Sequence, residues 1–362
     1  MAGAPSVTTR TLPPSLAGAL TRGHLPSLDG LRAAAALAVV FYHFGLEWFP
    51  GGLGVLAFFV LSGFLITWLL LKEEERFGTV SFKLFYLRRS LRIFPAFYAY
   101  WLLLAGSLLM FHRRIFIGQV IASFFYMNNY YQALRGDPDT GFSHTWSLGI
   151  EEQFYLLWPV TFLLLGRNRR RMLFLMAGIL MVAAYRAALV FVWHRDPGYI
   201  YEAFDTRADH LMTGCLLAVA LREGSVAKLW RWLCSEPLLV WCTAGMLALS
   251  AALQFRFGTT YRDLIGFTVD PLLVATLIVQ TLARPAVALG RVLNCGIMRY
   301  LGTISYSIYL YQQAIIRPVV KLAAPWPWLS LPLTVLAVIG AASASYWFIE
   351  RPFLRLKKAF ET

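Results

Sequence analysis

Charge is scarce in this 362-residue sequence. Only 14% of its residues are Asp, Glu, Lys or Arg, against about 25% in soluble domains. That shortage excludes a water-soluble globular fold. Cysteine is scarce too: the four cysteines (Cys215, Cys234, Cys242, Cys295) have no metal-ligand spacing, which argues against both a disulfide framework and a metal site. The first 26 residues lack an apolar run followed by a small-residue cleavage site, so no cleaved signal peptide is expected. No internal repeat is visible, and no polar stretch is long enough for an appended soluble domain.

What is abundant is apolar sequence, at 58% hydrophobic and 15% aromatic. Long apolar runs recur roughly every 15 to 20 residues, the length a bilayer requires. Spans are expected at about 31–49, 53–71, 92–110, 150–166, 172–192, 208–222, 237–255, 264–283, 300–320 and 330–350. The predicted fold class is an all-α, multi-pass membrane protein. A tail over 1–26 and a basic tail over 354–362 flank a membrane domain over 27–353. The net charge of +14 could suggest nucleic acid. The basic residues, however, cluster in short loops between apolar runs (Lys83 to Arg92, Arg167 to Arg171, Arg222 to Arg231, Arg355 to Lys358), the pattern of positive-inside topology.

Segment 115–133 is apolar enough to enter the membrane but ends in Met127-Asn128-Asn129-Tyr130-Tyr131-Gln132. If it does not cross and the N-terminus is cytoplasmic, 23 Lys and Arg fall on the cytoplasmic side and 9 outside, with Arg186 inside a span. If it crosses, the tally is 16 against 16. The bias selects the first arrangement: ten spans, both termini cytoplasmic, and a re-entrant or interfacial segment on the outer side. A multi-pass location in the cell inner (cytoplasmic) membrane is the expectation.

Ionisable residues inside a bilayer are costly and therefore functional candidates. Asp29, Arg32, His43 and Glu47 share one face at 100° per residue, with Arg32 and His43 about 16 Å apart along the axis. His43 could bond a neighbouring helix or act as a general base, since imidazole titrates near neutrality. Arg88, Arg89 and Arg92 stack at helical spacing and read either as topological anchors or as an anion clamp, with Pro95 suggesting an early-turn break that frees backbone amides. Glu151 and Glu152 open a span beside His144 and Trp146, either complementing a helix dipole or forming a site.

Six segments in order resemble the acyltransferase-3 family of membrane O-acyltransferases. They are Leu28-Asp29-Gly30-Leu31-Arg32-Ala33 with His43, Phe58-Phe59-Val60-Leu61-Ser62-Gly63-Phe64, Arg88-Arg89-Ser90-Leu91-Arg92-Ile93-Phe94-Pro95, Trp146-Ser147-Leu148 through Trp158-Pro159, Ser305-Tyr306-Ser307-Ile308-Tyr309-Leu310, and Ile349-Glu350-Arg351-Pro352-Phe353. The resemblance implies transfer of an acyl group, usually acetyl, from cytoplasmic acyl-CoA to a hydroxyl of a sugar, a glycan or a small molecule such as a macrolide. Arg32 and His43 match the family's essential first-span pair, and Arg89 and Arg92 match its third-span arginines. On this reading Asp29, Arg32 and His43 are catalytic, with Asp29 or Glu47 orienting the ring. Arg88, Arg89 and Arg92 bind the acyl-CoA, and His144, Trp146, Glu151 and Glu152 hold the acceptor on the outer side.

Two departures stand out. The family's histidine after the Tyr-Leu-aromatic run is here Gln312, and no fused esterase-like domain is expected. Rival readings are a transporter or flippase, which predicts inverted repeats, and a relay that passes acyl groups to a separate transferase. No metal, tightly bound cofactor or nucleic-acid partner is expected.

Overall fold

The computed structural model describes residues 12–21, 25–224 and 226–360. Parts of the expected 1–26 and 354–362 tails, namely residues 1–11, 22–24 and 361–362, lie outside the described residues. Every regular element among the described residues is helical. Ten helices of 16 to 29 residues carry the fold. In chain order they are α1 (Pro26–His43), α2 (Gly51–Phe77), α3 (Phe82–Met110), α4 (Trp146–Leu165), α5 (Asn168–Phe191), α6 (Ala208–Glu223), α7 (Pro237–Tyr261), α8 (Phe267–Ala283), α9 (Ser305–Leu322) and α10 (Pro327–Ser345).

Among the described residues, six stretches are long and apolar enough to cross a membrane: Gly51–Phe77, Phe82–Met110, Ser143–Leu165, Asn168–Phe191, Pro237–Ala283 and Pro327–Lys357. They fall into two kinds. The apolar window of α2 is 67% buried, whereas that of α3 is 17% buried. Helix α2 is therefore the core of the bundle, and α3 turns residues such as Leu102, Leu103 and Met110 outward. Exposed apolar side chains on α3, α5, α7 and α10 form the belt a bilayer would solvate.

Glycines set the closest contacts. A Cβ on Gly63 of α2 would overlap the Leu211 carbonyl, and one on Gly214 of α6 would overlap the Val60 carbonyl, so these two helices meet backbone to backbone. Gly302, in the short helix Gly296–Thr303, meets the Asp29 carbonyl of α1 in the same way. That contact fixes the end of α1 that carries Asp29 and Arg32.

The helix ends separate into two faces. One, the basic face, gathers the end of α2, the start of α3 and the helix Arg351–Lys358. Three consecutive glutamates at the end of α2 tie it together. Glu73 pairs with Arg88 of α3 (2.5 Å), Glu74 with Arg171 of α5 (2.7 Å), and Glu75 with Arg222 of α6. Arg186, mid-helix in α5, finds its partner in Asp209 of α6 at 2.7 Å, both fully buried. A buried pair of this kind strongly destabilises the fold when one member is removed.

On the opposite face, 115–133 is not one helix. It forms two eight-residue helices, Ile117–Phe124 and Asn128–Arg135, broken at Tyr126, whose φ is +56°. Eight residues rise only about 12 Å, too little to cross a bilayer. Pro14–Leu20 is likewise helical, with Leu16 and Leu20 buried against α8.

Candidate active site

A cavity of about 1090 Å³ opens at the basic face and runs inward between α1, α2, α3, α4 and α9. Seven cationic and six carboxylate side chains line it. Near balance of that kind makes the lining no simple positive patch, so anion binding rests on whichever cations the carboxylates leave free. Glu73 holds Arg88, which also donates to the Phe360 carbonyl at 3.3 Å. Glu151 accepts from Ser62 Oγ and Tyr155 OH, both at 3.2 Å. Glu350 accepts from Ser307 Oγ at 2.6 Å; it is delivered to the wall by the π-helical turn Tyr346–Glu350 at the end of α10. Arg32 Nε donates to Ser305 Oγ at 3.2 Å. Among the described residues, Arg89 and Arg92 form no ion pair. Arg89 instead lies 4.9 Å from the Tyr155 ring. These two half-buried guanidiniums thus line the cavity without a carboxylate partner among the described residues.

Helix α3 begins ten residues earlier than the expected span, at Phe82, where Ser81 caps it by accepting from the Leu84 amide (3.4 Å). The arginines therefore sit in its second and third turns, and the helix continues through Pro95. No early-turn break frees amides beside them, because Pro95 lies three turns inside an established helix.

At the inner end the cavity is walled by Phe58 and Tyr309, whose ring centroids are 6.0 Å apart, and by Ser147. Tyr309 OH lies 2.5 Å from Ser147 Oγ and donates to the His144 carbonyl at 3.0 Å. The His144 ring packs 5.4 Å beyond Tyr309. From there a hydrogen-bonded chain leads outward. His144 Nδ1 is 3.1 Å from Gln313 Oε1, and Gln313 Nε2 is 3.2 Å from His43 Nε2. His43 is exposed and His144 buried. Cavity and histidine pair thus meet back to back across Tyr309.

The candidates divide accordingly. Arg32, Asp29, Arg88, Arg89 and Arg92 all line the cavity, and His43 does not. Glu151 and Glu152 also face the cavity instead of a separate outer site. The reason is that α4 starts at Trp146, so its sixth and seventh residues lie about 8 Å inward from the helix end. Trp146 offers no open ring face. It is 7% exposed and packs on Phe59, on Tyr201 at 5.0 Å and beneath the Arg207 guanidinium at 5.5 Å. Neither Asp29 nor Glu47 holds the His43 ring: Asp29 lines the cavity, and Glu47 lies beyond the end of α1. The ring is held by the Val39 carbonyl, 3.0 Å from Nδ1, and by Gln313. Gln313 was not singled out from the sequence. Its signal was helical spacing, since Tyr306, Tyr309 and Gln313 recur at i, i+3 and i+7 on one face of α9. Gln312, which replaces the expected histidine, is buried with neither amide atom hydrogen-bonded among the described residues.

Residues 25–350 match the acyltransferase domain family. A peptidoglycan O-acetyltransferase of Listeria monocytogenes is 33% identical over 353 residues, covering 92% of this chain and 56% of the relative. A Bacillus subtilis protein provisionally named a peptidoglycan O-acetyltransferase is 32% identical over 356 residues, covering 91% and 55%. A Staphylococcus aureus protein provisionally named an O-acetyltransferase is 30% identical over 351 residues, covering 91% and 57%. The chain thus spans a little over half the length of these relatives. No solved structure matches it. With the match running from before α1 to the end of α10, the chain belongs to the acyltransferase-3 family.

Proposed function

We propose that this chain is a membrane O-acyltransferase that moves an acyl group, acetyl in the first instance, from acyl-CoA to a hydroxyl of a cell-surface glycan of the peptidoglycan type. The observation that carries the reading is the cavity. Its lining includes Arg89 and Arg92, which form no ion pair among the described residues, and it ends at a wall beyond which a histidine pair begins. The basic face lies in the cytoplasm, as the positive-inside bias requires, with ten crossings and the histidine end outside. The donor's phosphates bind Arg89 and Arg92, with Arg32 further in. Arg88 is already engaged by Glu73 and contributes to the shape of the mouth. The pantetheine arm runs inward and brings the thioester to Ser147 and Tyr309.

His43 serves as the general base. Its Nε2 takes the proton from the acceptor hydroxyl while that oxygen attacks the thioester carbonyl. The C–S bond breaks, CoA leaves as a thiolate, and His43 releases its proton to solvent, from which the thiolate takes up one in turn. Meeting of the two partners requires Tyr309 and Phe58 to part. The similarity to named O-acetyltransferases supports the choice of acetyl and of glycan.

Thermal unfolding of the detergent-purified protein with acetyl-CoA tests the donor site. Ligand at 100 times its Kd adds about 2.7 kcal/mol, and the shift should vanish in Arg89→Ala/Arg92→Ala. Equal stabilisation of the double variant, or none of the folded parent, would overturn the assignment.

A further inference from the structure

His43 and His144 lie on opposite sides of one amide, and the hydrogen bonds around that amide leave a single consistent assignment. The starting point is a group with no choice, the backbone N–H of His144, which can only donate. It lies 3.3 Å from the side-chain oxygen of Gln313, so the amide oxygen must face His144 and the NH₂ must face His43. An NH₂ only donates, and the His43 Nε2 at 3.2 Å must therefore carry a lone pair. That places the ring proton on His43 Nδ1, where the Val39 carbonyl accepts it at 3.0 Å. On the other side, Gln313 Oε1 accepts from His144 Nδ1 at 3.1 Å, leaving the lone pair of His144 on Nε2. The reversed amide would set NH₂ against the His144 N–H. It would also demand a proton on His43 Nε2, while Nδ1 faced a carbonyl without one.

Resting on the reading of His43 as the base, we propose that Gln313 is a positioning residue that selects the reactive tautomer of His43. Its amide keeps the lone pair on Nε2, the nitrogen at the exposed end of α1, and covers that lone pair until an acceptor hydroxyl displaces it. Once Nε2 has taken the acceptor's proton it can no longer accept from the amide, so the contact belongs to the basic state alone. The second histidine has a defined part: the N–H groups of His144 anchor the amide oxygen, and without them the glutamine could rotate. The site expected at Gln312 is supplied by its neighbour, through orientation and not through a second titrating group.

Two nearly isosteric variants separate this role from simple packing. Gln313→Met keeps the length and removes the amide. Gln313→Glu keeps the shape but presents oxygen acceptors to both rings, which favours a proton on His43 Nε2. With acetyl-CoA saturating, Met should lower kcat about tenfold with little change in the acceptor's KM. Glu should lower kcat about a hundredfold and displace the pH–rate profile, and both variants should keep stabilisation by acetyl-CoA. Nitrogen-15 NMR of histidine-labelled parent protein, assigned by the signal lost in His43→Ala, should show a lone-pair-type Nε2 and a protonated Nδ1. Unchanged kcat and pH profile in both variants, or a protonated Nε2 in the neutral parent ring, would overturn the proposal. The NMR arm holds even if a variant fails to fold. Full transfer by His43→Ala would instead sink the base assignment itself.

Discussion

The cavity that opens at the basic end is charged throughout, with seven cationic and six carboxylate side chains on its walls. At the opposite end the pair of histidines is held by one neutral amide and two backbone groups, with no ion pair at either ring among the described residues. On the proposed function, the contrast follows from what each end would have to do. A large polyanion is held by several separated charges, and its adaptable phosphates tolerate side chains that move. Proton transfer needs one atom in one orientation, and in a low-dielectric setting neutral hydrogen bonds provide that without the desolvation penalty of a buried charge. Tyr309 belongs to both ends, with the cavity on one side of its ring and His144 on the other.

Substitutions at the two ends should therefore fail differently. His43→Ala is expected to have the largest effect, lowering transfer about 10²- to 10⁴-fold while acetyl-CoA still stabilises the protein. Activity and thermal-shift assays on one preparation check this, and loss of both together would erase the distinction. The Arg89→Ala/Arg92→Ala variant is the mirror case, expected to lose about 2.7 kcal/mol of ligand stabilisation. The smallest effect concerns the histidine face alone. Glu202, in the short helix Pro197–Glu202, has its carboxyl pushed up to about 8 by burial and by the neighbouring Asp137 and Asp196. The folded protein thus keeps this proton at pH values where the unfolded chain has released it. The contribution to stability is full below about pH 4.5 and is lost as pH rises towards about 8. Glu202→Gln should flatten the fall in Tm across that interval, and an unchanged slope would contradict the assignment.

Much of the basic end was legible in the sequence, and the histidine end was only half so. Charges in an apolar chain advertise themselves, because a bilayer rejects them, so Arg32, Arg89, Arg92 and His43 stand out. Hydropathy nevertheless marks the membrane-crossing part of a helix, not the helix. For that reason α3 begins ten residues before its apolar run, and α4 carries Glu151 and Glu152 deeper than a span starting at 150 allows. Gln313 carries no charge and draws no attention. Its meaning comes from a backbone N–H 169 residues away in the chain, a juxtaposition that only tertiary structure creates. Trp146 shows the opposite failure, since an aromatic residue at a membrane boundary suits stacking on a sugar, yet tertiary packing has already covered its ring.

The most direct test of two ends serving one reaction is sidedness. The protein is reconstituted into vesicles sorted for an inward basic face, with acetyl-CoA sealed inside and a soluble peptidoglycan oligosaccharide outside. O-acetylated oligosaccharide should appear outside, depend on the enclosed acetyl-CoA and be absent with His43→Ala. Product that forms only when acetyl-CoA and oligosaccharide share one side would contradict transfer from the cavity to the histidine end.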